Sequence, residues 1–310
     1  MTVAGSANHW GPRPFRLSRD LGGVLDLIEL AFGEEAARFR DLRLLARLGP
    51  LLLPFEPLLR EVWPGLVWEE AGRVVGNVNF ARLPYLPRAW LIFNVAVHPD
   101  YRRRGIARRL MNLALERVRA AGGEVAVLDV EADNLPARNL YLSLGFELFE
   151  RLTEYRGRAP AAAPVRSPNI RPWGFRDWVV RRDLSVAGGG LRYLRVMEWQ
   201  VGALLGALSP ADLLFYGRRI RSWVCEVDGR LFGFGRVDRP LFGRRLRVLV
   251  WLAPETPEIL GQDFLATVIG QARAGRAVTI HVAAGPDRFE LPGVWALQTW
   301  RRLDRMFKWL

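Results

Sequence analysis

Two apolar segments joined by an amphipathic segment constrain the fold of this chain more than any other feature. Residues 91–97 read LIFNVAV and residues 125–131 read VAVLDVE, and both are typical of strands with a buried face. Between them runs a predicted helix that ends at Gly122. Its apolar residues recur every third or fourth position: Leu110, Ala114, Val118 and Ala121. A strand–helix–strand crossover of this length predicts that the two strands pair in parallel.

The segments around this crossover predict a mixed α/β domain with a mostly antiparallel sheet and one parallel pair. The predicted strands are FRLSRD at 15–20, a hairpin around Ala71-Gly72 at 65–83, and FELFERLTEYR at 146–156. The predicted helices are LGGVLDLIELAF at 21–32, EEAARFRDLRLLARL at 34–48 and LPARNLYLSLG at 135–145.

The second half of the chain repeats the first weakly. GRVVGNVNF at 72–80 corresponds to GRLFGFGRV at 229–237, and NVAVHP at 94–99 corresponds to LVWLAP at 249–254. GGEVAVLDV corresponds to AGRAVTIHV at a slightly different offset. A nearly constant offset over three segments predicts two domains of one fold.

An alanine- and proline-rich stretch separates the two copies. It reads RGRAPAAAPVRSPNIRP and has no apolar periodicity, which is typical of a linker. We therefore predict a first domain at 1–157, a linker at 158–170 and a second domain at 171–310.

Composition narrows the classes of partner and site. The net charge is +13, and Lys308 is the only lysine, so the positive charge comes from arginine. Such a chain favours anionic partners, among them nucleic acid, although no aromatic–basic pattern of an RNA-binding sheet is present. Cys225 lies in an alternating, strand-like segment and is expected to be a small core residue. The three histidines lie far apart, and no metal site is expected.

Neither the N-terminal residues nor the most apolar interior stretch suggests a membrane protein. The N-terminal residues lack the charged-then-apolar pattern of a signal peptide. The most apolar stretch, LGPLLLPFEPLL at 48–59, is too short to span a bilayer and is interrupted by prolines. We expect a soluble, cytoplasmic protein whose oligomeric state the sequence does not specify.

Three arginines precede the predicted helix, where the helix macrodipole already places positive charge. Residues 98–110 read HPDYRRRGIARRL. Unpaired backbone N–H groups at a helix start bind anions, so a bound pyrophosphate would make this cluster favourable. Gly105 allows close backbone approach, and Ala107 keeps the helix start small. Taken alone, the pattern also fits a solvated helix end or a nucleic-acid patch.

The second copy provides an internal comparison for this helix start. It reads APETPEILGQDFL at the corresponding position. Thr256 fits the N-cap, Pro257 fits the first helical position, and Glu258 complements the dipole. A helix that starts in this way needs no anion, so we expect a phosphate site in the first domain only.

These stretches give the first half, residues 12–157, a resemblance to the GNAT superfamily of acyl-CoA-dependent N-acyltransferases. The resemblance rests on NVAVHPDYRRRGIARRLM and LDVEADNLPARNLYLSLGF, and on their spacing over more than sixty residues. It implies a central sheet that is splayed between two parallel strands and holds the pantetheine arm of CoA in the opening. It also implies acetyl-CoA as donor, direct transfer to an amine and no metal.

The resemblance further implies roles for individual residues. The backbone of Val95, Ala96 and Val97 would bind the acyl-pantetheine arm. The pyrophosphate would lie against Arg102, Arg103, Arg104, Gly105, Ile106, Ala107 and Arg108. Asn134 would contact the cofactor arm, and Tyr141 would protonate the departing thiolate, since a phenol stays protonated at neutral pH.

The general base is less strongly specified. Asp129 occupies the place where related ribosomal-protein alanine acetyltransferases carry a glutamate proposed as base. Strand alternation places Glu131 on the same face, so Glu131 or a water relay would serve as well, and a solvated carboxylate without a role is the remaining alternative. Asn94 either polarises the acceptor or satisfies a strand bulge, and His98 is expected to be a turn residue.

The second domain departs from the family pattern, and Phe289 stands where Tyr141 would be expected. We therefore expect a degenerate copy without a CoA site, which shapes the acceptor site or braces the first domain. The acceptor stays open among a small-molecule amine, such as an amino acid, polyamine or aminoglycoside, and a peptide N-terminus. The alternative to an enzyme is a basic protein that kept the fold, lost the reaction and binds nucleic acid or a protein.

Overall fold

The chain forms two compact units. The computed structural model describes residues 10–33, 64–83, 86–161, 167–174, 177, 195, 199, 219–239, 245–272, 274–285, 291 and 293–310. The first unit comprises Met1–Leu128, Leu140–Phe146 and Phe307–Leu310. The second unit comprises Asp129–Asn139 and Glu147–Met306. The domain boundary predicted at 157 therefore does not coincide with the boundary between the units.

The sheet of the first unit follows the predicted order of strands and helices. Up to residue 143 the elements are β1 (Gly11–Pro14), α1 (Leu17–Phe32), β2 (Gly65–Glu70), β3 (Arg73–Leu83), β4 (Leu86–Val97), α2 (Ile106–Ala120), β5 (Val125–Glu131) and α3 (Leu135–Ser143). The strands lie in the order β1-β2-β3-β4-β5. All neighbours are antiparallel except β4 and β5, which pair in parallel as predicted. The helix predicted at 34–48 lies outside the described residues.

Helix α2 packs closely on the sheet of the first unit. Its stripe residues Leu110, Ala114 and Val118 are fully buried, whereas Ala121 lies past the helix end and is exposed. The helix approaches β3 at Gly76, where a Cβ atom would lie only 2.9 Å from the Ile106 side chain. This close contact fixes the start of α2 against the sheet.

The strand predicted at 15–20 is wrong, and the hairpin prediction is confirmed. The strand lies at Gly11–Pro14 instead, and α1 begins at Leu17. The cause is local, because the Asp20 carboxylate accepts a hydrogen bond from the backbone N–H of Arg16 at 2.8 Å and stabilises the first helical turn. At the hairpin, Ala71 and Gly72 both have positive φ, as a two-residue turn requires.

The second unit contains a strand from the first half of the sequence. Its elements are β6 (Glu147–Arg158), β7 (Ile170–Pro172), β8 (Arg219–Val227), β9 (Arg230–Arg239), β10 (Leu246–Leu252), α4 (Glu258–Gly270), β11 (Ala277–Ala284) and β12 (Gln298–Trp309). They lie in the order β12-β6-β11-β10-β9-β8-β7. Strand β6 pairs antiparallel with β11 over eight residues, which explains why the unit boundary differs from the predicted one.

Both units are built around the same ion-pair arrangement. In the first unit, Arg13 of β1 donates to Asp20 of α1 and to Glu69 of β2. The second unit repeats it with an arginine on β7 and two carboxylates, namely Arg171, Asp177 and Glu226. The three pairs of positions are offset by 157 or 158 residues, close to the offset of the sequence repeat. The units therefore share a construction that the weak sequence similarity already suggested.

The core of the second unit lies between its sheet and α4. Phe264, Leu265 and Val268 of α4 are completely buried there. Cys225 belongs to the same cluster, and burial together with the charge of Asp263 raises the pKa of its thiol to about 12. The thiol is thus protonated at neutral pH, as expected of a core residue. In the described part of the chain, no helix is both long and apolar enough to cross a membrane.

A buried carboxylate in the second unit makes its stability sensitive to acid. Burial alone would raise the pKa of Glu154, but hydrogen bonds from His281 and Arg301 outweigh it and lower the pKa to about 2. A lowered pKa stabilises the fold above the ordinary value of 4.5, and this stability is lost as the pH falls from 4.5 towards 2. We expect a loss of about 3 kcal/mol in the free energy of unfolding over this range.

Urea unfolding at pH 6, 4 and 2.5 measures this contribution. Glu154→Gln should be less stable than the wild type at pH 6 and should lose less stability on acidification. Glu124→Gln, which removes an exposed carboxylate, is the matched control and should follow the wild-type profile. An unchanged pH profile in Glu154→Gln would contradict the assignment.

Candidate active site

A β-bulge in β4 determines the shape of the candidate site in the first unit. Strand β4 pairs with β3, and the register shifts by one residue between Asn77 and Asn79 of β3. Opposite this shift, Asn94 has a φ of 53°, which is uncommon for a non-glycine residue. The side-chain amide of Asn77 donates to the carbonyl oxygen of Asn94 at 2.8 Å and to Oδ1 of Asn79 at 2.9 Å. Of the two interpretations of Asn94, the structure therefore supports the bulge.

The pairing between β4 and β5 ends three residues before Asn94. The parallel ladder joins Ala89–Leu91 to Val125–Val127 and does not continue towards Val97. Of the last six residues of β4, four pair with β3 alone, and Asn94 and Val95 form the bulge. Their backbone N–H and C=O groups on the opposite edge have no strand partner among the described residues. An extended ligand with amide groups can bind such an edge as an added strand would.

The free edge of β4 leads into the helix start that carries the arginines. After a single 3-10 turn at Pro99–Tyr101, the chain reaches Gly105, whose φ of 76° is left-handed, and α2 begins at Ile106. No side chain of the described residues caps this helix, and its first turn contains no acidic residue. The first backbone N–H groups therefore retain their partial positive charge.

The arginines at this helix start are exposed, and two of them donate hydrogen bonds to backbone carbonyl oxygens. Arg102 donates from Nε to the carbonyl oxygen of Val97 at 3.2 Å, and Arg104 donates to the carbonyl oxygen of Asp100 at 3.2 Å. Arg103 has a left-handed φ of 61°, and no described residue pairs with its guanidinium. The backbone here is held in a sparsely populated conformation beside an uncapped helix, as expected of an anion site.

Arg108 connects this helix start to helix α3. Its guanidinium donates to Oγ of Ser143 at 2.7 Å, and Ser143 in turn donates to the carbonyl oxygen of Leu140 at 2.6 Å. Leu140 and Ser143 flank Tyr141 in the same helical turn. The residue expected at the pyrophosphate thus also fixes the helix that carries the candidate acid.

Tyr141 is buried, with 6% of its surface exposed, and its ring packs against Phe146 at 5.9 Å between centroids. Burial raises the pKa of its hydroxyl well above the ordinary value of 10. Its hydroxyl makes no hydrogen bond with any residue that the structure describes. A protonated phenol without a hydrogen-bond partner among the described residues is suited to donate a proton to a ligand.

Comparison with known proteins identifies the family. Residues 37–146 match the Acetyltransferase (GNAT) family. The N-alpha-acetyltransferase of Sulfurisphaera tokodaii is 30% identical over 150 residues, which cover 43% of this chain and 90% of that protein. This chain belongs to the GNAT superfamily of N-acetyltransferases. It is therefore an acyltransferase with a mixed α/β fold.

Two further comparisons extend the list of similar proteins. The L-amino acid N-acyltransferase MnaT of Escherichia coli (strain K12) is 33% identical over 94 residues, which are 30% of this chain. The chain spans 55% of the length of MnaT. A GCN5-related N-acetyltransferase of Sphaerobacter thermophilus has a similar fold, with a TM-score of 0.52 and 14% identity, over 96% of this chain and 95% of that one.

In the described strands β9, β10 and β11 of the second unit, neither the bulge nor the free edge of β4 has a counterpart. Its parallel strands β10 and β11 pair continuously over six residues, from Leu246 to Trp251. The register of β10 with β9 shows no shift. In the first copy, seven positions separate Ile92, which pairs with Phe80, from Pro99. In the second copy, six positions separate Val248, which pairs with Val237, from Pro254. Without the extra residue, β10 stays on β11 and leaves no free edge at this place.

The helix start of the second unit also differs from that of the first. Helix α4 begins at Glu258, an acid in the first turn, with Pro257 at the N-cap. The prediction of Thr256 as N-cap is wrong, because its hydroxyl donates instead to the carbonyl oxygen of Phe232 at 2.9 Å. Phe289, expected in place of Tyr141, lies outside the described residues.

Asp129, the predicted base, lies in the second unit within an ion-pair network. Arg305 donates two hydrogen bonds to its carboxylate, at 2.8 and 2.7 Å, and Arg195 donates a third at 3.3 Å. Burial would raise the pKa of Asp129, but the charges of Arg305 and Arg195 outweigh it and hold the pKa well below its ordinary range. A carboxylate with so low a pKa is a weak proton acceptor at neutral pH.

The other predicted polar residues of this segment have structural contacts. Oδ1 of Asn134 accepts a hydrogen bond from the backbone N–H of Ala137 at 3.2 Å and so caps α3. Glu131 lies 3.8 Å from Arg301. His98 accepts from the backbone N–H of Asp100 at 3.4 Å and is the turn residue that we predicted.

The sequence did not reveal the side chains that contact the bulge, Asp129 and Arg108. Asn77 and Asn79 support the bulge, and two asparagines two positions apart in an apolar strand were the available signal. Arg195 and Arg305 bind Asp129 from far along the chain, and no local pattern marks them. Ser143 was part of the predicted helix, but its contact with Arg108 needed the fold.

Proposed function

We propose that this GNAT protein transfers an acetyl group from acetyl-CoA to a primary amine by direct attack. The observation that carries the proposal is the continuous path in the first unit, where the unpaired edge of β4 leads to an uncapped, arginine-flanked helix start. An extended, amide-containing chain that ends in a pyrophosphate matches this path in both shape and charge.

Different residues along the path bind different parts of the cofactor. The backbone of Val95, Ala96 and Val97 binds the amides of the pantetheine arm. The pyrophosphate accepts from the N–H groups at 105–108, while Arg102, Arg103 and Arg104 neutralise its charge. Asn134 caps α3. The family resemblance implies that Asn134 also lies beside the cofactor arm, and we propose no direct hydrogen bond between them.

Tyr141 acts as the general acid in this proposal. The amine nitrogen attacks the thioester carbon, the carbon–sulfur bond breaks, and the thiolate takes the proton of the Tyr141 hydroxyl. The attacking nitrogen gives up one proton to solvent, and solvent returns a proton to the phenolate. The products are the N-acetyl amine and CoA with a free thiol. The high pKa of the buried phenol keeps the proton available until the thiolate forms.

The acceptor that we propose carries an α-amino group, as an amino acid or a peptide N-terminus. The similar proteins named above act on L-amino acids and on N-alpha groups, and a [ribosomal protein bS18]-alanine N-acetyltransferase of Escherichia coli (strain K12) is 42% identical over 55 residues. Those 55 residues cover 18% of this chain and 37% of that protein. They support an α-amine and leave its side chain unspecified.

We propose that Asp129 has a structural role in its ion-pair network and that a water molecule accepts the proton of the amine. In Asp129→Asn the guanidinium of Arg305, with only 2% of its side chain exposed, loses the charge of the carboxylate to which it donates two hydrogen bonds. We expect a loss of roughly 2–4 kcal/mol in the free energy of unfolding. The kcat per folded molecule should fall less than about threefold, which is small beside the effect of losing a general base.

Chemical unfolding and initial rates against pH test this assignment together. Glu131→Gln, on the same strand face, is the comparison variant and should change the stability less. If Asp129→Asn keeps its stability but loses the acidic limb of the kcat/KM profile, then Asp129 is the base and our assignment is wrong.

For the second unit we propose that no CoA binds. Its parallel strands remain paired, and its candidate helix start carries Glu258 in place of arginines. Calorimetric titration with acetyl-CoA should therefore give one site per chain, and an amine screen should follow it. L-amino acids and peptides with free N-termini should be acetylated in preference to polyamines and aminoglycosides. A second site, or no binding, would contradict the proposal.

A further inference from the structure

An open cavity of about 720 Å³ lies in the second unit, at the end of β6 and the start of β12. Its lining includes the guanidinium-bearing residues Arg156 and Arg158, the indole of Trp295, and Gln298. Arg156 and Arg158 are two positions apart on β6, so their side chains leave the same face of the strand. None of the lining residues carries a negative charge.

Arg156 differs from the other partly buried arginines of the second unit. Of the others that the structure describes, each lies against a carboxylate: Arg138, Arg151, Arg171, Arg195, Arg236, Arg301 and Arg305. For Arg156, the described residues provide no carboxylate and no hydrogen bond, and its Nε is completely buried. The equally buried Nε atoms of Arg138 and Arg301 belong to guanidinium groups that do lie against a carboxylate. A buried guanidinium nitrogen without an acceptor is costly, which indicates that a partner is missing.

An aromatic ring orients the Arg156 guanidinium. The guanidinium carbon lies 3.7 Å from the centre of the Trp300 ring, and Trp300 itself is 51% exposed. Stacking occupies the face of the guanidinium and leaves its N–H edges available for a planar oxyanion. The next carboxylate along this face of the strand, that of Glu154, is already bound by Arg301 and His281.

We propose that this cavity binds a small organic anion, with its carboxylate or phosphate group against Arg156 and its apolar part against Trp295. Arg158 adds a second positive charge, although it already donates to the carbonyl oxygen of Gly275 at 2.9 Å. This site is independent of the CoA path in the first unit and does not rest on the proposed reaction.

Calorimetric titration of the full chain with phenyl phosphate and with benzoate tests the proposal. Benzyl alcohol, which has the ring without the charge, should show no saturable binding. Arg156→Gln should weaken the binding of both anions roughly tenfold or more, because charge-assisted hydrogen bonds are lost. Arg221→Gln, which removes an exposed arginine of the same unit away from the lining, should bind as the wild type does.

Two further variants separate the other outcomes. If Gly105→Glu abolishes anion binding and Arg156→Gln does not, the anions bind at the helix start of the first unit and the proposal is overturned. Equal binding of benzyl alcohol, or no saturable binding of either anion, also overturns it. If Arg156→Gln does not fold, Arg158→Gln provides the test and should weaken binding severalfold at unchanged melting temperature.

Discussion

In Tyr141→Phe we expect kcat to fall by about a hundredfold or more, because a general acid typically contributes 10²–10⁴ to a rate. Acetyl-CoA should bind the variant as tightly as the wild type, because the proposed contact forms only as the thiolate leaves. The melting temperature should change little, since the hydroxyl has no hydrogen-bond partner among the described residues and the ring packing against Phe146 is retained. Steady-state kinetics and calorimetric titration with acetyl-CoA measure the two effects separately.

A matched control for this variant is Tyr155→Phe. Tyr155 is equally buried, with 5% of its surface exposed, and belongs to the core of the second unit. Its loss of a hydroxyl should leave kcat within about twofold. If Tyr141→Phe also stays within twofold, Tyr141 is a core aromatic and another group or water protonates the thiolate.

The second large effect is expected from Gly105→Glu, which should weaken acetyl-CoA binding by roughly a hundredfold or more. The new carboxylate would stand at the helix start where the pyrophosphate is proposed to bind. There it would pair with the arginines and repel the cofactor. A glutamate at a helix N-terminus is itself favourable for the macrodipole, so the fold should tolerate the added charge.

Gly122→Glu provides a control at the other end of the same helix. Gly105 and Gly122 have nearly equal φ values, 76° and 78°, and a Cβ atom at either position meets nothing within 4 Å. Both variants therefore carry a similar backbone strain of about 1–2 kcal/mol. Only the variant at the helix start should lose acetyl-CoA binding. If both lose it, or neither does, the anion site is not at this helix start.

The amino-acid sequence determined the elements whose causes are local. The hairpin at Ala71-Gly72, the amphipathic helix α2 and the left-handed Gly105 all follow from residues within a few positions of one another. The parallel crossover also followed from the sequence, because few connections of this length are sterically available. The absence of a cation-rich helix start in the second copy was also visible in the sequence, because it depends on a few neighbouring residues.

The sequence could not show how far the parallel pairing extends. The bulge at Asn94 needs one extra residue in β4 relative to β3, and the repeat could reveal it only as a change of offset by one or two residues. Whether such a residue bends the strand or slips the register depends on the neighbouring strand. Here the buried amide of Asn77 holds the bulge in place.

Only the tertiary structure decided the surroundings of Asp129. Its two guanidinium partners, Arg195 and Arg305, are 66 and 176 residues away along the chain. They convert a candidate base into the centre of an ion-pair network. The placement of β6 beside β11 was decided in the same way. Periodicity specifies that a segment is a strand and which face is apolar, whereas its partner strand and the charges around it are set by the packing of segments distant in sequence.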